Sequence, residues 1–221
     1  MNVARALLWK DLVTEWRSRD RIVAMVVFSF LVVMVFQFAW PPMAPAEMVR
    51  FAPGVLWVTY LFAAVIGLGR TFALELENDA MTALALAPGT RGWIFLGKAG
   101  ATMILVTIVQ AMTACVFALF FRVDLLTGAA GLAGIVCLAN LGICSVGTLL
   151  SAMSVRSRFR DVLLPVLLIP TLIPVLAAAV HATELCLDGS LPSLDTLRPL
   201  IVIDGVYTIL SFLLFDYVLD E

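Results

Sequence analysis

Charge is what this chain of 221 residues has little of. Charged side chains make up 14% of it and there is a single histidine, His181, whereas a soluble domain carries about 25% charged residues. With 62% of its residues hydrophobic, the chain cannot cover itself with a polar surface, and a soluble globular fold is excluded. The net charge of −2 leaves no basic patch for a nucleic-acid backbone, whose recognition needs clustered Lys and Arg. One histidine excludes bis-histidine haem ligation by this chain alone. Neither H-E-x-x-H nor G-x-S-x-G occurs, so the nucleophile, base and metal constellation of a membrane enzyme is missing and a non-catalytic role is expected. Cys115, Cys137, Cys144 and Cys186 form no C-x-x-C pair and no zinc spacing, which argues against a disulfide framework and a metal site.

What the chain does have is long apolar runs. A bilayer core about 30 Å thick is crossed by roughly 20 apolar helical residues, and a helix satisfies its own backbone polar groups there. Residues 22–40, 51–69, 99–121, 128–150, 162–181 and 199–219 meet that requirement. The expected fold is an all-α integral membrane protein with six transmembrane helices, residues 1–221 forming one polytopic domain. The first run could be mistaken for a cleaved signal peptide. It is longer than a signal core, however, and Asp11, Glu15 and Asp20 precede it among the basic residues.

Basic residues are retained on the cytoplasmic side of a membrane. With the N-terminus inside, the cytoplasmic segments hold Arg5, Lys10, Arg17, Arg19, Arg21, Arg70, Arg91, Lys98, Arg156, Arg158 and Arg160, and the outside keeps Arg50, Arg122 and Arg198. Both termini are then cytoplasmic. Residues 2–19 place Val3, Leu7, Leu8, Leu12 and Trp16 at helical spacing with Arg5, Lys10, Glu15 and Arg17 elsewhere, the pattern of an amphipathic interfacial helix. The alternative is a basic leader that only sets topology.

The longest cytoplasmic connection, residues 70–98, runs from Arg70 to Leu86 without Gly or Pro and stops at Pro88-Gly89, so a helix is expected there. Within it, Gly92-Trp-Ile-Phe-Leu-Gly97-Lys98 matches G-x-x-x-x-G-K. The match lacks the following Ser or Thr, a preceding strand and a small-residue interior, so a phosphate loop is not expected and Lys98 reads as an interfacial anchor. Two ionisable residues at membrane depth or its edge are candidate intramembrane polar sites, His181 at the end of the fifth span, a position suited to a haem-iron or proton-relay ligand, and Asp204 inside the sixth; Asp216 lies near that span's inner end. Gln110 and Asn140 are candidates for interhelical hydrogen bonds, and the small residues Gly128, Gly131, Gly134, Ala139, Gly142, Ser145, Gly147 and Ser151 for a packing seam, within the chain or with another subunit. Pro165, Pro170 and Pro174 are expected to bend or locally break the fifth span.

With an interfacial N-terminal helix, six spans and a helical first inner loop, the chain resembles the permease subunits of ABC-2 type exporters. More specifically, the chain resembles the haem exporter protein B family, the permease of the cytochrome c maturation system. The resemblance is carried by Trp9-Lys10-Asp11-Leu12 with Glu15 and Arg17, by Ala52-Pro53-Gly54-Val55-Leu56-Trp57-Val58 and by Arg70-Thr-Phe72-Ala-Leu-Glu75-Leu-Glu77-Asn-Asp79. Leu84-Ala-Leu86-Ala-Pro88, Lys98, the stretch from Leu164-Pro165 to Ile173-Pro174 and the ending Leu214-Phe-Asp-Tyr-Val-Leu219 follow in order. It covers essentially the whole chain.

The resemblance implies a multi-pass protein of the bacterial inner membrane and several partners: an ATP-binding cassette subunit, a haem-handling membrane protein, a small membrane subunit and a periplasmic haem chaperone. ATP would be bound by the partner subunit and haem handled by the complex, with no cofactor on this chain. ATP hydrolysis would be converted into haem delivery or release of the loaded chaperone. Arg70, Phe72, Glu75, Leu76, Glu77 and Asp79 are then the expected coupling contact with the ATP-binding subunit. A generic exporter permease for a lipid, drug or polysaccharide, and a non-transporting assembly scaffold, are the alternatives the residues leave open.

Overall fold

A bilayer offers no hydrogen-bond partner to a backbone amide, so each long apolar run closes its own backbone as a helix. The computed structural model describes residues 3–40, 45–72, 75–76, 91–125, 128–155, 157–190 and 192–218. Among these there are seven helices and no strand: α1 (Val3–Ser18), α2 (Asp20–Ala39), α3 (Pro45–Gly69), α4 (Arg91–Phe121), α5 (Ala129–Ser154), α6 (Arg160–Leu187) and α7 (Leu194–Val218). The helices α2 to α7 each carry a stretch long and apolar enough to cross a membrane. The protein is a multi-pass membrane protein.

Helix ends depart from the expected spans in ways the side chains explain. The helix α4 begins eight residues before its apolar run because Arg91 to Lys98 lie against other helices rather than in a loop. The prolines of α6 do not break it: Pro165, Pro170 and Pro174 lie inside one continuous helix. Its buried stripe, Leu164, Leu168, Leu172, Val175, Ala179 and Thr183, excludes all three prolines, so the lost amide bonds do not fall on the packed face. The Tyr207 hydroxyl of α7 donates to the Thr171 carbonyl in this region at 2.7 Å. The helix then runs past His181 to Leu187, with Asp188 as its C-cap, and closes in a Schellman turn. Gly189 takes φ 81, its amide reaches Cys186 O at 3.2 Å, and the Ser190 amide reaches Leu185 O at 3.0 Å.

The core is built around α5, which packs against α6 and α7, with α3 lying against α2 and α6. Much of the small-residue seam of α5 packs within the chain, whereas Gly134 is exposed with nothing within 4 Å of an added Cβ. Gly147 leaves room for the Leu68 side chain, Gly131 for Cys186 Sγ, and the Ser151 hydroxyl donates to the Leu68 carbonyl at 2.8 Å. Inside this apolar packing the polar side chains find one another, as a medium without water requires. Gln110 and Asn140 exchange amide hydrogen bonds at 3.1 and 2.6 Å, Thr107 accepts a third from Asn140 at 2.9 Å, and Trp57 Nε1 donates to the Thr183 hydroxyl at 2.9 Å.

Asp204 and the Thr148 hydroxyl, both fully buried, find no such partner among the described residues. The Asp204 carboxylate is fully buried where α7 crosses α5, neither oxygen has a hydrogen-bond partner, and it occupies the notch left by the missing side chain of Gly142. A Cβ at Gly142 would stand 2.0 Å from Asp204 Oδ1. Gly142→Ala is therefore expected to destabilise the protein by about 1–3 kcal/mol, read from thermal unfolding in detergent. Asp204→Ala in the same chain should recover part of that loss, whereas strictly additive losses would show that the carboxylate does not fill the notch.

Candidate functional site

The polar side chains that the sequence scatters over the first 102 residues meet at the end of the bundle where α1 lies. Position begins with glycine: a Cβ at Gly97 would stand 2.7 Å from the Ala4 carbonyl oxygen, and one at Gly100 would stand 3.2 Å from Leu8 Cδ1. The helix α1 thus lies directly on the backbone of α4. The G-x-x-x-x-G-K match is part of a continuous helix, and its second glycine serves this crossing.

That crossing brings Asp11 of α1 to Lys98 of α4. Lys98 is 1% exposed, and its ammonium has the three donors a lysine can offer. It donates to Glu75 Oε1 at 2.7 Å and to the Thr71 carbonyl at 3.1 Å, and Asp11 Oδ2 lies 3.0 Å away. Its charge also stands 5.1 Å from the centre of the Phe72 ring. Lys10 donates to the same Glu75 oxygen and lies 3.4 Å from Asp11 Oδ1. Two ammonium groups and two carboxylates thus form one compact cluster without net charge, which is the arrangement that makes burial of an ion tolerable. Of the atoms in these four charged groups, only Glu75 Oε2 is buried without a partner.

Burial pushes the Glu75 carboxyl up, but the Lys98 charge and the hydrogen bonds from Lys10 and Lys98 outweigh it and hold the group below its usual value. Partial burial likewise lowers Lys10, and its hydrogen bond and charge contacts with Glu75 and Asp11 raise it by more, so it ends above its ordinary value.

A second set of contacts ties α1 to α2. Glu15, 7% exposed, accepts hydrogen bonds from the backbone amides of Arg21 and Ile22 at 3.1 and 3.2 Å. It satisfies free amides at the start of α2 after a sharp corner in which Arg19 adopts φ 58. The Arg21 guanidinium passes inward to the hydroxyls of Thr102 at 3.2 Å and Thr71 at 3.5 Å.

The expected coupling residues are placed as follows. Arg70 is exposed at the end of α3. Phe72 is fully buried with Phe95 and Phe215, ring centroids 5.3 Å apart for the latter pair, so it is an internal knob rather than a surface one. Leu76 packs partly buried against the same cluster, and its amide reaches the Phe72 carbonyl at 3.1 Å in a helical turn. Glu75 is 3% exposed and directed into the bundle. Glu77 and Asp79 lie outside the described residues. His181 is exposed on α6. Asp204 belongs to the α5–α7 seam described above and does not join the cluster.

Two readings change. Lys98, expected as an interfacial anchor, is the buried centre of the cluster, because two carboxylates and a carbonyl replace the water it would otherwise seek. The face of α1 turned to the bundle follows Ala4, Leu7, Leu8, Asp11 and Glu15, while Trp9 and Trp16 are 68% and 71% exposed. Lys10, Asp11, Glu15, Arg21, Thr71 and Thr102 come together as a site only in the fold. The one signal available was the four-residue spacing of Asp11 and Glu15, which puts two acids on the same face of a helix.

The sequence pattern of the family described as CcmB protein matches residues 2–215. The chain is similar to heme exporter protein B of Paracoccus denitrificans, 28% identical over 190 residues, which cover 85% of each chain. It is similar also to heme exporter protein B of Rhodobacter capsulatus, 29% identical over 182 residues and 78% of each chain.

Removing one member of a buried ion pair strands the other, at a cost of about 3–5 kcal/mol. Lys98→Met should therefore lower unfolding stability in detergent steeply, and Lys98→Met/Glu75→Gln should lose clearly less than the two single losses together. The pH dependence has two limbs. The contribution of Glu75 is complete above its ordinary value of 4.5 and is lost as pH falls through its lowered folded value. That of Lys10 is complete below 10.5 and is lost as pH rises through its raised one. A melting plateau between those values is expected, with Glu75→Gln flattening the acid limb.

Proposed function

The chain belongs to the CcmB protein family, and from that membership we propose that it is the non-catalytic permease subunit of an ABC transporter complex for cytochrome c biogenesis. In this reading it lies in the bacterial inner membrane with both termini in the cytoplasm, α1 resting in the inner interface. An ATP-binding cassette subunit hydrolyses ATP below it. A haem-handling membrane protein, a small membrane subunit and a periplasmic haem chaperone complete the complex, and haem is its cargo. Both curated relatives are named heme exporter protein B, which supports the haem assignment. Hydrolysis drives haem delivery or release of the loaded chaperone.

The observation that carries the coupling step is the buried charge cluster. The segment that follows α3 is held at its start by Phe72 among the phenylalanines of α4 and α7, and by Glu75 between Lys10 of α1 and Lys98 of α4. A force applied to that segment from below cannot move it alone. It must move α1 and α4 with it, or exchange the ion pairs for others, which gives the bundle two discrete arrangements rather than a continuous drift. Glu75 in this reading acts from inside, as the joint through which the segment pulls on the spans. The surface that meets the ATP-binding subunit is left to the residues that follow, Glu77 and Asp79 among them.

The test is a complex reconstituted with its ATP-binding subunit in which Glu75 is changed. Glu75→Gln is expected to leave the chain inserted and bound to that subunit, and to lower cytochrome c maturation per ATP hydrolysed by roughly tenfold, the rate equivalent of one weakened charged hydrogen bond. The reversed pair Glu75→Lys/Lys98→Glu should recover more maturation than Glu75→Lys alone. Unaltered maturation with Glu75→Gln and with Glu75→Lys would sink the coupling role.

A further inference from the structure

Between the last turn of α3 and the first turn of α6 lies a cleft of about 260 Å3. Its walls are apolar, formed by Val65 and Ile66 on one side and Leu164 and Pro165 on the other, and its polar members are Arg70, Arg160 and Asp161. Gly69 lies between the two helices, where a Cβ would meet Leu164 Cδ2 at an ordinary 3.7 Å, so the absence of a larger side chain keeps the cleft open.

The charges do not balance. Arg160 Nε lies 3.7 Å from Asp161 Oδ1, and the Asp161 side chain is 91% exposed at the rim. Arg70 is exposed and takes part in none of the ion pairs found among the described residues. The cleft therefore carries one uncompensated positive charge. The dipole of α6 adds to it at the helix's first turn, although the Arg160, Val162 and Leu163 amides there are already taken by the Ser157 and Phe159 carbonyls.

We propose that this cleft binds an anionic phospholipid. The phosphate sits between Arg70 and Arg160, and the upper part of an acyl chain lies along Val65, Ile66, Leu164 and Pro165. A ligand of charge −1 balances the cleft, and the apolar walls suit a lipid where an inorganic anion would leave them bare. Both helices are membrane spans that end at this point, so the guanidinium groups stand where headgroups do. Arg70, expected from the sequence to meet the ATP-binding subunit, thus has a lipid as its partner. The site does not rest on the transport reading, and its test needs no ATPase.

The experiment is native mass spectrometry of the full chain purified in mild detergent and titrated with phosphatidylglycerol, with phosphatidylcholine of the same acyl chains, or with inorganic phosphate. The wild-type chain should retain phosphatidylglycerol over phosphatidylcholine by about tenfold or more, as two arginines near a membrane surface imply, and should show no adduct with inorganic phosphate. Arg70→Gln/Arg160→Gln should remove the preference between the two lipids. Gly69→Leu, which keeps every charge and fills the cleft, should reduce binding of phosphatidylglycerol as well and serves where the double variant fails to fold. Equal retention of the two lipids by the wild-type chain would overturn the proposal. So would a preference untouched by either variant, or phosphate displacing the bound lipid at equal concentration.

Discussion

A lysine ammonium cannot be left unpaired in a membrane helix bundle, and much of the charged end of this protein is arranged around meeting that condition for Lys98. Taking one ion out of water costs several kcal/mol even after relaxation, and the compensation here comes from two other chain segments at once. Asp11 arrives on α1, Glu75 and the Thr71 carbonyl arrive with the chain leaving α3, and Lys98 itself stands on α4. None of these groups is close to Lys98 through local chain geometry. The cluster forms only when α1, α4 and the α3 exit are all in place, so it specifies their mutual position more than it adds net stability.

Glycine makes that position reachable. The ammonium and the Asp11 carboxylate meet because α1 rests on Gly97, whose missing side chain leaves 2.7 Å between an ideal Cβ and the Ala4 carbonyl. The same device recurs in the span region, where Gly142 admits Asp204 and Gly147 admits Leu68. In lipid, where apolar surface gains nothing by leaving one apolar medium for another, close backbone approach and hydrogen bonds hold helices together. The paired amides of Gln110 and Asn140 are of the same kind. The bundle is thus tied polar to polar at a few points and packed small against large between them.

Such a construction suits the proposed coupling role, in which force is taken up without loss of shape. Beside the charge cluster the aromatic side chains of Phe72, Phe95 and Phe215 close the gap between the α3 exit, α4 and α7. Ions and rings together fix the start of the segment between α3 and α4. Glu15 and Arg21 extend the connection to α2. A local displacement there reaches four helices through side chains that have discrete partners to gain or lose.

Length, hydropathy and the spacing of apolar residues determined the all-helical class and the six spans, because a backbone in hydrocarbon has no alternative to bonding within its own segment. The glycine and serine seam of α5 was legible for the same reason, small residues being what close packing in lipid demands. Order and spacing of short motifs also pointed to the family. Which side chains face one another was decided only by the tertiary structure. Prolines spaced as in α6 read as breaks until it is known that they fall off the packed face. Lys98 and Phe72 read as an anchor and a docking knob until their partners, distant in sequence, are brought to them. Asp204 looked available until Gly142 enclosed it. A sequence shows charge and spacing along one chain, but whether a charge is exposed or paired depends on crossings set by other helices, and those are written in pairs of residues that no local pattern connects.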